Sequence, residues 1–196
     1  MIDKADRLQQ LFTSTSKTAF TTRDLNNIWK YSNYDSLIKR IQYFTKTKKL
    51  KKIKKGLYAI EGREINELEL ANKFRTPSYI SFETVLHKEG IIFQWDKRIT
   101  LAGKVSIQIE ADDKNIVFKQ IKDSILLNSS GIKEENNYYI ATKERALLDM
   151  LYLNPSFQFD NLRSVDFDKI KNLLNIYDKK NLINIVSDLK KYAQSY

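Results

Sequence analysis

Apolar residues recur at helical spacing near the start of the chain, at Ala5, Leu8, Leu11 and Phe12, and predict a first helix over residues 3–12. A polar break, Thr13-Ser14-Thr15-Ser16, follows. Thr21 or Thr22 is placed to cap a second helix that runs through Trp29, with Leu25, Ile28 and Trp29 facing inward. Residues 30–33 make a short turn, and a third helix is predicted over residues 33–47. The period then changes from helical to alternating. Short strands are expected at 51–53 and 57–60, joined by Lys54-Lys55-Gly56. The order helix, helix, turn, helix, hairpin predicts a winged helix-turn-helix.

The pattern changes again at residues 61–63, where acids (Glu61, Glu64, Glu67, Glu69) replace the lysines. A helix to Phe74, a break at Pro77 and a helix near 82–89 are expected. Alternation then predicts strands at 99–101, 105–110, 116–121 and 138–141, with a turn at Gly131. Thr142 caps a strong helix that runs through Leu153 and is ended by Asn154-Pro155. Two more amphipathic helices are expected at 166–177 and 179–192. The fold class predicted is α+β. Residues 1–62 form the winged helix-turn-helix, and residues 63–196 form a mixed α/β domain ending in helices.

Charge sharpens this division. Residues 1–60 hold fourteen Lys and Arg against four acids (Asp3, Asp6, Asp24, Asp35), while residues 61–196 hold twenty of each sign. The whole excess of +10 therefore sits in the N-terminal third. A lysine-rich composition alone would not strip one segment of acids, so a polyanionic partner is expected there.

The third helix and the hairpin divide the work. Leu37, Ile41 and Phe44 share one face of the helix and anchor it. The opposite face offers Asp35, Lys39, Gln42, Tyr43 and Lys46, the arrangement a helix needs to read the DNA major groove. The candidate reading residues are Asn33, Tyr34, Ser36, Lys39, Arg40 and Tyr43. Lys39 or Arg40 suits guanine, and Tyr43 a phosphate. Lys46, Lys48, Lys49, Lys51, Lys52, Lys54 and Lys55 are the candidate phosphate contacts, with no acid between Asp35 and Glu61. Lysine supplies charge without the bidentate fork of arginine, so the hairpin is expected to give affinity rather than sequence choice. Aromatic stacking platforms on strands, expected of many RNA binders, are not evident. The partner expected is double-stranded DNA.

Two stretches of the second half, PSYISFETVLHKEGII at 77–92 and IATKERALLDMLYL at 140–153, resemble the AbiEi family, the antitoxins of the AbiE bacterial abortive-infection systems. The N-terminal pattern through GLYAI at 56–60 resembles that family's winged helix. The resemblance covers nearly the whole chain in order. The family often has Pro where Lys143 stands here. The resemblance implies an antitoxin of a type IV toxin–antitoxin pair that represses its own operon by binding inverted repeats in the promoter. It also implies a C-terminal domain that counters a nucleotidyltransferase-like toxin without a stable complex. The alternative is a C-terminal interaction module that binds the toxin or another partner directly. Lys88, Lys143, Glu144 and Asp149 are the polar candidates for that role, while Tyr79, Ile80, Phe82, Val85 and Leu86 and the apolar positions of the second stretch read as core.

No catalytic set is evident, and the chain is not read as an enzyme. There is no cysteine for a disulfide, a thiolate metal site or a nucleophile. His87 stands alone. The stretch around Gly103-Lys104 lacks the phosphate-binding loop's first glycine, since Arg98 stands there, and has Val105 where Ser or Thr must follow. Asp112-Asp113 reads as a solvated turn. No metal and no cofactor are expected. Neither a secretory signal nor a membrane span is visible, so a cytoplasmic location is expected.

Overall fold

The structure, a computed structural model, describes residues 4–13, 15–111 and 113–194, with side chains from Arg7 onward. The expected helix start at Asp3, Ser14 of the polar break and Asp112 of the acidic pair lie outside the described residues. The chain is α+β and divides into two compact units, residues 1–74 and 75–196.

The first unit runs α1 (Lys4–Thr13), β1 (Ala19–Thr21), α2 (Thr22–Trp29), α3 (Tyr34–Lys46), β2 (Leu50–Lys54), β3 (Leu57–Ile60) and α4 (Glu67–Phe74). Thr21 caps α2 with a full capping box. Its hydroxyl accepts from the Asp24 amide, and the Asp24 carboxylate accepts from the Thr21 amide. Asn33 caps α3 through the Ser36 amide. Leu11, Phe20, Leu25, Trp29, Leu37, Ile41, Phe44 and Leu50 form one core. Burial of each large apolar side chain stabilises the unit by roughly 1.5–3 kcal/mol.

Two features go beyond the periodic pattern. β1 pairs antiparallel with β3, making a three-stranded sheet of order β1-β3-β2. Three residues are too few to show an alternation, and the strand exists because β3 offers it an edge. The division between units also falls after Phe74 rather than at residue 62. The acidic helix α4 belongs to the first unit because buried Glu69 accepts from both the amide and the hydroxyl of Thr18, at 2.8 and 2.7 Å. Lys73 bridges Glu69 and the Ala19 carbonyl, each at 2.6 Å. The change in charge at residue 61 marks a change of surface, not of core.

The second unit is built on a six-stranded mixed sheet of order β6-β7-β5-β4-β9-β8. Its strands are β4 (Ser78–Ile80), β5 (Ile99–Gly103), β6 (Ile107–Ala111), β7 (Lys114–Gln120), β8 (Ile132–Glu135) and β9 (Tyr138–Ala141). Its helices are α5 (Glu83–Lys88), α6 (Asp123–Leu126), α7 (Lys143–Leu153), α8 (Phe167–Leu173) and α9 (Lys180–Gln194). β4 and β8 and the single-turn α6 are not legible in the pattern. The helix expected at 166–177 is α8 followed by a 3₁₀ turn, Leu174–Ile176. Thr142 caps α7 as expected, accepting from the Arg145 amide.

Candidate nucleic-acid interface

Leu37, Ile41 and Phe44 are buried and hold α3 against α1 and α2. This fixes which positions of α3 face outward. Asn33, Tyr34, Ser36, Lys39 and Tyr43 are exposed, together with Gln42 and Lys46. Asn33 is committed to the cap, so its carboxamide oxygen serves the helix.

Arg40 departs from its expected place among the reading residues. It is half-buried, its Nε donates to the Tyr31 hydroxyl at 3.2 Å, and its guanidinium lies 5.7 and 5.6 Å from the Tyr43 and Phe44 ring centres. Next along the chain from Lys39, it points about 100° further round the helix, toward the core. Its role here is to brace Tyr31 against α3.

The hairpin lysines also separate into two groups. Lys52 pairs with Tyr58, whereas Lys54 pairs with Leu57, so a bulge at Ile53 breaks the alternation. Lys54 thereby leaves the face of Lys52 and reaches inward. Its ammonium donates to the Phe74 carbonyl at 2.5 Å and sits 4.6 Å from the Phe74 ring centre. It ties the hairpin to α4 and is removed from the candidate phosphate contacts. Lys46, Lys48, Lys49, Lys51, Lys52 and Lys55 remain exposed. The turn is the two-residue Lys55-Gly56, with Gly56 at φ +83°, and the Gly56 carbonyl accepts from the Thr22 amide at 3.0 Å. The hairpin tip is thus fastened to the start of α2.

Between α3 and the hairpin lies a groove of about 580 Å³. Tyr34, Gln42, Thr45 and Lys46 line it from the helix, and Lys52, Lys55 and Tyr58 from the hairpin. Every charged residue lining it is a lysine. Gln42 and Thr45 are additions to the candidate reading residues. With Tyr34 and Ile38 they form an i, i+4, i+8, i+11 stripe, which marks a helix edge turned toward a neighbour. Only the hairpin's placement shows which edge that is.

In the second unit, Lys88, Lys143 and Glu144 line a cleft of about 550 Å³ with Lys133, Glu135 and Lys169. Lys88 pairs with Glu135 at 3.5 Å. Two of the four polar candidates are corrected by burial. Glu144 is buried and its Oε1 accepts from the Asp166 amide at 3.4 Å, holding the start of α8. Asp149 is fully buried and accepts from the hydroxyls of Tyr79, Ser81 and Tyr177 and from Arg145. Burial and the carboxylate beside them push both tyrosine hydroxyls well above their ordinary pKa, so they stay protonated and donate. A carboxylate so enclosed cannot meet a partner protein.

Among the described residues no three His, Cys, Asp or Glu side chains converge as a metal site, and no helix is long and apolar enough to cross a membrane. No protein-family model matches the chain, and no curated protein matches it. A similar solved structure is the RV2827C protein from Mycobacterium tuberculosis. It is 13% identical, with a TM-score of 0.54, over 95% of this chain and 75% of that one. At that identity the likeness is one of fold.

Proposed function

We propose that residues 1–74 bind double-stranded DNA as a winged helix-turn-helix. The chain would then be the antitoxin and autorepressor of a bacterial type IV toxin–antitoxin operon, countering a nucleotidyltransferase-like toxin. The observation that carries the DNA-binding part is the groove between α3 and the hairpin, whose charged lining is lysine alone. Such a groove accepts a phosphate strand while the outer positions of α3 face base edges. The element order α1-β1-α2-α3-β2-β3 and the capped, well-anchored α3 support the same reading. The antitoxin part rests on the resemblance of the stretches at 77–92 and 140–153.

Mobility shifts against the DNA upstream of the protein's own reading frame test the repressor reading. A clear preference over a scrambled duplex is expected at about 0.15 M salt, where non-specific binding is weak. Equal affinity for both duplexes would sink it.

A second reading makes the second unit a direct interaction module. The mixed-charge cleft around Lys88, Lys133, Lys143 and Lys169 favours it. Co-expression separates the two, since a type IV antitoxin leaves its toxin free and an interaction module co-purifies with it.

A further inference from the structure

The two edges of the six-stranded sheet differ in a way that bears on assembly. An exposed edge strand is a template for another chain, and folded proteins usually blunt it with charge. At β8 this is done: Lys133, Glu134 and Glu135 are successive, exposed and charged. β6, the other edge, is not protected in that way. Ile107, Ile109 and Ala111 alternate with Gln108 and Glu110, so its sole charge is Glu110. Ile107 is 37% exposed, Ile109 is half-buried, and Val105 just before the strand is 41% exposed. β7 covers one side of β6, and the other side is the border of the sheet.

We propose that β6 pairs antiparallel with β6 of a second copy of this chain, about a two-fold axis through Ile109. The strand is complementary to itself in this register. Full overlap of the five residues sets Ile109 against Ile109, Ile107 against Ala111 and Gln108 against Glu110. Directly opposite residues share a face, so one face of the junction is wholly apolar. On the other, each Glu110 carboxylate meets the partner's Gln108 amide donors, and no like charges face one another within the strand. An isologous contact of this kind closes at two copies. The main-chain donors and acceptors of both edges are satisfied, and the sheet continues from one copy into the other. The occupant is a second copy because the alternation of apolar and polar positions is symmetric about Ile109 and the reversed strand brings the Gln108 amide to Glu110. The proposal does not depend on DNA binding.

Sedimentation velocity of the full chain over a concentration series is the first test, and a monomer–dimer equilibrium is expected. Gln108 is exposed, so its variants leave the fold intact. Gln108→Lys sets a lysine opposite each Glu110 and is expected to tighten the dimer roughly fivefold, while Gln108→Glu loosens it by a similar factor. Gln108→Glu combined with Glu110→Lys restores it. The chain has no cysteine, so the register is read by single substitutions. Ile109→Cys is expected to form a disulfide-linked dimer on oxidation. Ile107→Cys, although it replaces an exposed residue, is not. A chain that stays monomeric at its highest soluble concentration overturns the proposal. So does a dimer that both Gln108 variants leave unchanged, or one in which Ile107→Cys cross-links as readily as Ile109→Cys.

Discussion

Arg145 and Asp149 form an ion pair one helical turn apart on α7, Nε to Oδ1 at 3.3 Å, with both side chains wholly out of solvent. Two charges are taken from water only where every remaining donor and acceptor is served. Here they are. The guanidinium also donates to the carbonyls of Ser130 and Ile125 at 2.8 and 2.7 Å and to the Tyr79 hydroxyl at 3.0 Å. The pair joins α7 to β4, to the end of α6 and to the turn before β8.

Removing one partner leaves the other charge buried and alone. Arg145→Met is expected to cost about 3–5 kcal/mol, and Asp149→Leu a similar amount. The double variant should cost less than the two singles together, because no lone charge remains. Denaturant unfolding of the four proteins measures this. Gly131→Ala acts on the same place, since its φ is +73° and the added Cβ would meet the Arg145 Cβ at 3.0 Å. A destabilisation of about 1–3 kcal/mol is expected.

Acid should loosen the first unit through Asp24. Burial pushes this carboxyl up, but the ion pair to Lys17, the amide and hydroxyl of Thr21 and the Lys73 ammonium outweigh burial and hold it below the ordinary 3.8. Its folded pKa is lower than its unfolded one, so its stabilisation is present above pH 3.8 and is lost as the pH falls through the folded value. Asp24→Asn should cost about 1 kcal/mol at neutral pH and flatten the stability profile below about pH 4. Circular dichroism melts from acid to neutral pH check both.

The hairpin lysines should behave as two classes. Replacing Lys46, Lys52 and Lys55 with Ala is expected to weaken binding to every duplex and to reduce the salt slope by about 0.9 for each phosphate no longer neutralised. Lys54→Ala should leave the slope unchanged and lower stability by about 1 kcal/mol, because its ammonium serves Phe74. Titrations at several salt concentrations, with melts of the same proteins, separate the classes.

On α3, Lys39→Ala and Gln42→Ala should change which base pairs are preferred, with about 1–3 kcal/mol of discrimination removed by each substitution. Arg40→Ala should lower stability and leave the preference as it was. Binding selections from a randomised duplex pool give the answer. A changed preference in Arg40→Ala would return that residue to the reading face.

The unit boundary has its own test. A fragment of residues 1–74 should melt cooperatively, and a fragment of residues 1–62 should be several kcal/mol less stable, since it lacks Glu69 and Lys73 and with them the buried clasp on Thr18 and Ala19. Urea unfolding of both fragments measures the difference.

Local pattern was enough for what depends on near neighbours in the chain. The caps at Thr21 and Thr142, the buried stripe of Leu37, Ile41 and Phe44, and the β2–β3 hairpin all follow from short spacings along the chain, which dihedral geometry converts directly into a face or a turn. The concentration of positive charge in residues 1–60 needed no structure either. Tertiary structure decided whatever depends on a distant partner. β1 and β4 are strands because other strands lie beside them. Arg40 and Lys54 left the candidate interface because Tyr31 and Phe74 claim them, and Asp149 left the surface because Arg145 and three hydroxyls surround it. α4 joined the first unit through Thr18, far earlier in the chain. A charged side chain reads the same in sequence whether water or a buried partner solvates it. The free energies differ by several kcal/mol, and that difference is set by residues brought together only by the fold.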